Sequence, residues 1–132
     1  MIEINNTTKY RINKKFFKKA AEKFLQSRRL KKKDVSIALI VDVRMRQLNF
    51  RYRKKNCPTD VLSFAGEGNF LGEIIIDPAQ IKRQARENGN GFRNELIFIL
   101  VHGLLHLVGY DDRTEKDRLK MIKLGQEFIK KL

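Results

Sequence analysis

The sequence predicts an α+β protein, one small β-sheet packed against several helices. Three observations carry that expectation. Short runs of β-branched and aliphatic residues alternate along the chain with segments whose apolar positions recur at helical spacing. The stretch from Arg93 to Val108 is apolar nearly all round, the pattern of a helix buried at the centre of a domain. A chain of 132 residues with 42% hydrophobic content fills one core but not two, so residues 1–132 read as a single domain, without repeat or linker.

Taken in order, Ile2 to Asn5 is a short strand. From Asn13 to Ser27, Phe16, Phe17, Ala20, Ala21, Phe24 and Leu25 recur on one helical face, with Lys14, Lys15, Lys18, Lys19 and Lys23 largely opposite and Asn13 as N-cap. Val35 to Val41 has hydrophobic residues on both faces and reads as an inner strand. Asp42 to Arg53 is a helix with Met45, Leu48 and Tyr52 inward and Arg44, Arg46 and Arg51 exposed. Two strands, Val61 to Ala65 and Leu71 to Ile76, flank the turn residues Gly66 to Asn69 and form a hairpin. Asp77-Pro78 starts a helix that Asn88 to Gly91 ends, because Asp caps the first amides and Pro has no amide to leave unpaired. Thr114 and Asp117 have the spacing of a capping box, opening a last helix whose Leu119, Ile122 and Phe128 or Ile129 face the core.

Charge narrows the function classes. Lys and Arg number 29 against 15 Asp and Glu, for a net charge of +14. Residues 1–66 hold 18 basic and 5 acidic side chains, net +13, whereas residues 67–132 hold 11 and 10, net +1. Such segregation points to a polyanion-binding surface built by the first half, with nucleic acid as the leading partner and an anionic membrane surface second. The bland alternative is a solvated face that only aids solubility. Met1 to Tyr10 lacks the apolar core of a secretory signal, and the longest apolar stretch, Leu96 to Val108, is broken by His102, Gly103 and His106 and falls short of the ~20 residues that span a bilayer. A lone Cys57 excludes an internal disulfide and suits a reducing, bacterial-type cytoplasm.

Both histidines of the chain lie four residues apart in the buried helix, which puts their rings on one face. Gly109 follows three residues after His106 and Asp112 three after that, so the chain can turn back and present a third ligand. The frame H-x-x-x-H-x-x-G-x-x-D is the metzincin zinc spacing with two substitutions. Gly103 stands where the catalytic glutamate would be and supplies no general base, which argues against a protease. Asp112 replaces the third histidine, a tolerable exchange because carboxylate oxygen and imidazole nitrogen both bind zinc at roughly 2.0 to 2.2 Å. Two packed, hydrogen-bonded histidines on an apolar helix are the competing reading.

Three separated blocks then match one family in order. Leu48 to Lys55 followed by Pro58 to Phe64, then Leu71 to Ile76, then His102 to Asp112, closely resemble the YbeY family of bacterial ribosomal RNA maturation factors, over about residues 34 to 112. The resemblance implies a zincin-like fold, a metal-bearing helix against a mixed sheet. It also implies a zinc-dependent, single-strand-specific endoribonuclease acting on RNA of the small ribosomal subunit, in 16S 3′-end maturation and ribosome quality control, with no DNA or membrane partner. The family pattern ends Gly-Tyr-Asp-His, so Asp112 is a departure that opens the site to metals harder than zinc. Asp111 matches the family's aspartate and stands as a fallback ligand or as a hydrogen-bonding partner behind the ligands.

The expected metal ligands are therefore His102, His106 and Asp112 for one Zn2+. By the resemblance, Arg53 is the catalytic arginine beside the cleft, able to hold phosphate bidentately and offset growing charge. Lys54 and Lys55, with Arg44, Arg46, Lys15, Lys18 and Lys19, are the expected RNA-binding cations, while Thr59, Asp60 and Ser63 read as turn and strand hydrogen-bonding residues. Two other function classes fit the same residues. One is an RNA-binding assembly factor with a purely structural metal, and the other a metal hydrolase of a small substrate.

Overall fold

Side chains along a strand point alternately to opposite faces, and this chain uses the alternation to build two unequal cores. The computed structural model describes residues 1–132 as β1 (Ile2–Asn6), α1 (Lys14–Ser27), β2 (Asp34–Leu39), α2 (Asp42–Arg53), β3 (Val61–Ala65), β4 (Phe70–Ile76), α3 (Pro78–Asn88), α4 (Phe92–Leu107) and α5 (Glu115–Lys130). The strands form one mixed sheet in the order β1-β2-β4-β3, with β1, β2 and β4 parallel and β3 antiparallel to β4. This is the expected α+β architecture, with β2 as an inner strand and β3–β4 as a hairpin.

On one face Val35, Ile37, Leu39, Ile74 and Ile76 meet Phe17 and Phe24 of α1, Ile81 of α3, Leu100 and Leu104 of α4 and Met121 of α5 in the main core. The other face carries only α2, whose Met45 packs on Leu62 and Ile75. The helix starts follow the sequence. Asn13 accepts from the amide of Phe16, Asp77 from those of Ala79 and Gln80, and Thr114 from that of Asp117. No helix is long and apolar enough to cross a membrane.

Two expected inward residues face out. Tyr52 is 54% exposed, because α2 overruns the sheet edge there and the ring meets Phe64 edge-on at 4.9 Å between centroids, with the Arg51 guanidinium over it. Its place inside is taken by Asn49, 1% exposed, whose Nδ2 donates to the Cys57 carbonyl at 2.8 Å and so ties the loop after α2 to the helix. Leu119 is 53% exposed because the inward stripe of α5 runs through Met121 and Gly125, and two residues back lies roughly 200° around a helix.

The central helix α4 sits close on the sheet. A Cβ at Gly103 would stand 2.9 Å from Cγ2 of Ile74 and 3.4 Å from Oγ of Ser63, so the absence of a side chain sets the depth to which both histidines are carried.

Candidate metal centre

His102 and His106 are half-buried on the edge of α4 that faces β3 and α5. Their Nε2 atoms are 3.2 Å apart, with the rings at 81° to each other. After α4 the chain reverses at Gly109, whose φ of +106° is disfavoured for a residue with a Cβ, and the amide of Tyr110 donates to the Leu105 carbonyl. That reversal returns Asp112 to the histidines, with its Oδ2 3.5 Å from His102 Nε2 and 3.7 Å from His106 Nε2.

Ligand atoms of these three residues all lie within 4.8 Å of one another. The donor set fits a small divalent ion. A tetrahedron with bonds of about 2.05 Å has edges of about 3.3 Å, and the three separations here bracket that length from 3.2 to 3.7 Å. The Tyr110 carbonyl, which can only accept, takes a hydrogen bond from His106 Nδ1 at 3.0 Å, so Nε2 presents its lone pair to the cluster. Burial, and next the neighbouring His106, push the His102 pKa down, which keeps that imidazole neutral and able to bind a cation. Asp111 points elsewhere, its Oδ1 accepting from the Arg113 amide.

The three residues open into a cleft of about 680 Å³. Arg53 lines one side, and the ion pairs made by arginines involve Arg83 and Arg118, leaving Arg53 without a carboxylate. Thr59, Asp60 and Ser63 line it as well. Their hydrogen bonds tie the loop before β3, and β3 itself, to α3 and α4. Thr59 Oγ1 donates to Asp60, Asp60 Oδ2 accepts from Gln84, and Ser63 Oγ donates weakly to the Gly103 carbonyl at 3.4 Å. From α5 come Arg118 and Ile122, of which Arg118 is not foreshadowed by the sequence. Nothing in its local pattern, an i to i+3 pair with Glu115, separates it from any surface arginine.

The remaining expected cations do not reach the cleft. Lys54 and Lys55 are exposed just beyond α2, Arg44 and Arg46 lie on its exposed face, and Lys15, Lys18 and Lys19 are exposed on α1. None of them lines the cleft.

Fold and cleft together define an α+β protein that presents a candidate metal centre from one buried helix. The chain belongs to the YbeY endoribonuclease family, for the model described as Endoribonuclease YbeY matches residues 3–132. The match extends well beyond the three blocks that carried the resemblance. Endoribonuclease YbeY of Persephonella marina is 38% identical over 129 residues, covering 92% of this chain and 84% of that one. The protein of the same description from a Sulfurihydrogenibium species is 41% identical over 128 residues with the same coverage. A solution structure of a Thermotoga maritima protein superposes with a TM-score of 0.68 at 28% identity, covering 98% of this chain and 87% of that one.

Proposed function

We propose that residues 1–132 act as one domain, a metal-dependent endoribonuclease that cuts single-stranded RNA in the cytoplasm. The substrate we assign is ribosomal RNA of the small subunit, at the stage of 16S 3′-end maturation and quality control. The observation that supports this reading best is the convergence of two imidazole nitrogens and a carboxylate oxygen in a cleft that also holds an unpaired arginine. Family membership supplies the reaction class, since the relatives named above are endoribonucleases by description.

His102, His106 and Asp112 would hold the ion, with zinc favoured by two nitrogen donors and harder divalent metals admitted by the carboxylate. When bound, such an ion supplies Lewis acidity toward a phosphoryl oxygen and acidifies water at neutral pH. Arg53 binds the phosphodiester and offsets charge that grows on its oxygens in the transition state. Position 103 faces Ile74 and Ser63 and carries no carboxylate, so the proton of the attacking hydroxyl is taken by another group. The attacker is water or the RNA 2′-hydroxyl.

Metal analysis of the purified chain, combined with cleavage of a single-stranded RNA with and without chelator, tests the reading. Chelator-sensitive cleavage is expected, and the product end, cyclic phosphate or monophosphate, reports the nucleophile. RNA binding and ribosome maturation that survive metal removal would turn the reading into a non-catalytic assembly factor. Turnover of small esters with indifference to RNA would make it a small-substrate hydrolase.

A further inference from the structure

Arg118 has a place that neither charge patterning nor the metal centre explains. It stands on the first turns of α5, past the loop that carries Asp112, and lines the same cleft as Arg53 from the other side. Glu115 takes two of its five N–H donors, Nε at 3.0 Å and one on Nη2 at 2.6 Å. Those two lie on one edge of the planar fork. The Nη1 donors and the second Nη2 donor remain, an edge with the spacing that matches two phosphate oxygens. Asp112 lines the same cleft, which places Arg118 on the wall beside the candidate metal centre.

We propose that Arg118 and Arg53 form a two-guanidinium clamp on the RNA backbone, one from each wall of the cleft, with His102, His106 and Asp112 between them. The inference rests on the endoribonuclease reading and names a binding residue for it. Glu115 is the positioning residue, since a carboxylate on the Nε edge fixes the plane of the guanidinium and leaves the other edge free. Two imidazoles and one carboxylate carry a net negative charge toward the phosphodiester until a cation binds. A second arginine on the far wall offsets it.

The test uses a single-stranded oligoribonucleotide, with binding followed against salt in the presence of chelator and cleavage followed with metal restored. Arg118→Ala is expected to weaken binding about tenfold and to make the log-log salt slope shallower by about 0.7, as one phosphate goes unneutralised. Arg118→Lys, which keeps the charge and loses the fork, should keep the slope and lower kcat. Arg113→Ala is the control, an equal charge change on an exposed residue outside the cleft, and should leave kcat unchanged. An Arg118→Ala slope and kcat equal to wild type would overturn the clamp, while chelator-sensitive cleavage by that variant would keep the endoribonuclease reading intact. Equal effects of Arg118→Ala and Arg113→Ala would reduce Arg118 to general surface charge. A wild-type chain that neither binds nor cuts the oligoribonucleotide would overturn both.

Discussion

In the proposed metal centre, Asp112 is the residue whose chemistry matters most. Its Oδ2 closes a triangle with the two imidazoles, whereas the neighbouring Asp111 caps its own loop. Asp112→Ala should therefore lose metal nearly as badly as His106→Ala, with Asp111→Ala close to wild type by metal analysis. Asp112→His should retain the metal and shift preference toward zinc over manganese or magnesium, because imidazole is the softer donor. An empty site in Asp111→Ala beside a filled one in Asp112→Ala would reverse the assignment. If Arg53 acts as proposed, replacement by Lys should cost about tenfold or more in cleavage while RNA binding and metal content hold nearly constant, since Lys keeps the charge and loses the planar fork. Equal losses in binding and cleavage would mean that Arg53 grips ground state and transition state alike.

At the scale of elements, helix starts couple local structure to the site. Thr114 caps α5 two residues after Asp112, so Thr114→Ala should lower stability by about 1 kcal/mol and slacken the ligand loop, seen as a faster metal off-rate. A second start, that of α3, sets a pH dependence. Asp77 is fully buried beneath the entry of α2, its Oδ1 on the α3 amides and its other oxygen beside Asp42, which Arg83 grips at 2.8 and 2.9 Å. Burial, then the Asp42 carboxylate, push the Asp77 pKa up to about 7, while the Arg83 guanidinium holds Asp42 down at about 2. Asp77, whose Oδ2 is buried without a hydrogen-bond partner, thus keeps its proton to a higher pH than Asp42 does.

The signs of these two shifts are opposite. Between an unfolded value of 3.8 and about 7 the folded chain keeps a proton on Asp77 that the unfolded chain releases. This contribution to stability is full below 3.8 and is lost as pH rises through about 7. The Asp42 contribution is present above 3.8 and is lost as pH falls toward about 2. Asp77→Asn keeps the N-cap and cannot ionise in the buried position, so it should remove the decline near neutrality and raise Tm at pH 8 by about 4 °C. A melting-temperature series from pH 4 to 8 that runs parallel for both proteins would discard the raised Asp77 pKa.

Across the whole molecule, charge and chemistry occupy different surfaces. Lys15, Lys18 and Lys19 are exposed on α1, while the cleft lies between β3, the end of α4 and α5. Reversing these three lysines should therefore leave cleavage of an RNA just long enough to fill the cleft unchanged. With a long RNA the same variant should bind more weakly, and its salt slope should flatten by about 0.7 for each phosphate no longer neutralised. Equal effects on short and long RNA would put α1 within the cleft's own reach. Tight binding of the wild-type chain to anionic vesicles would instead assign this face to a membrane surface.

Much of this protein was legible along the chain because local rules settle it. β-Branched runs, helical periodicity and turn residues marked the elements, and Asn13, Asp77 and Thr114 marked helix starts, since a cap needs only the amides two or three residues on. The i, i+4 histidines with Gly109 and Asp112 marked the metal-site frame for the same reason, a helix and one turn being short-range geometry. Tertiary structure alone decided the rest. Tyr52 lies on the predicted inward stripe of α2 yet faces solvent, because the sheet ends beneath it, and the width of a sheet is not written in a helix. Arg118 joins Arg53 across the cleft, and Asp77 meets Asp42, although the partners stand 65 and 35 residues apart along the sequence. Such pairs follow from how elements pack around a shared core, a non-local balance of shape and burial that no window of sequence contains.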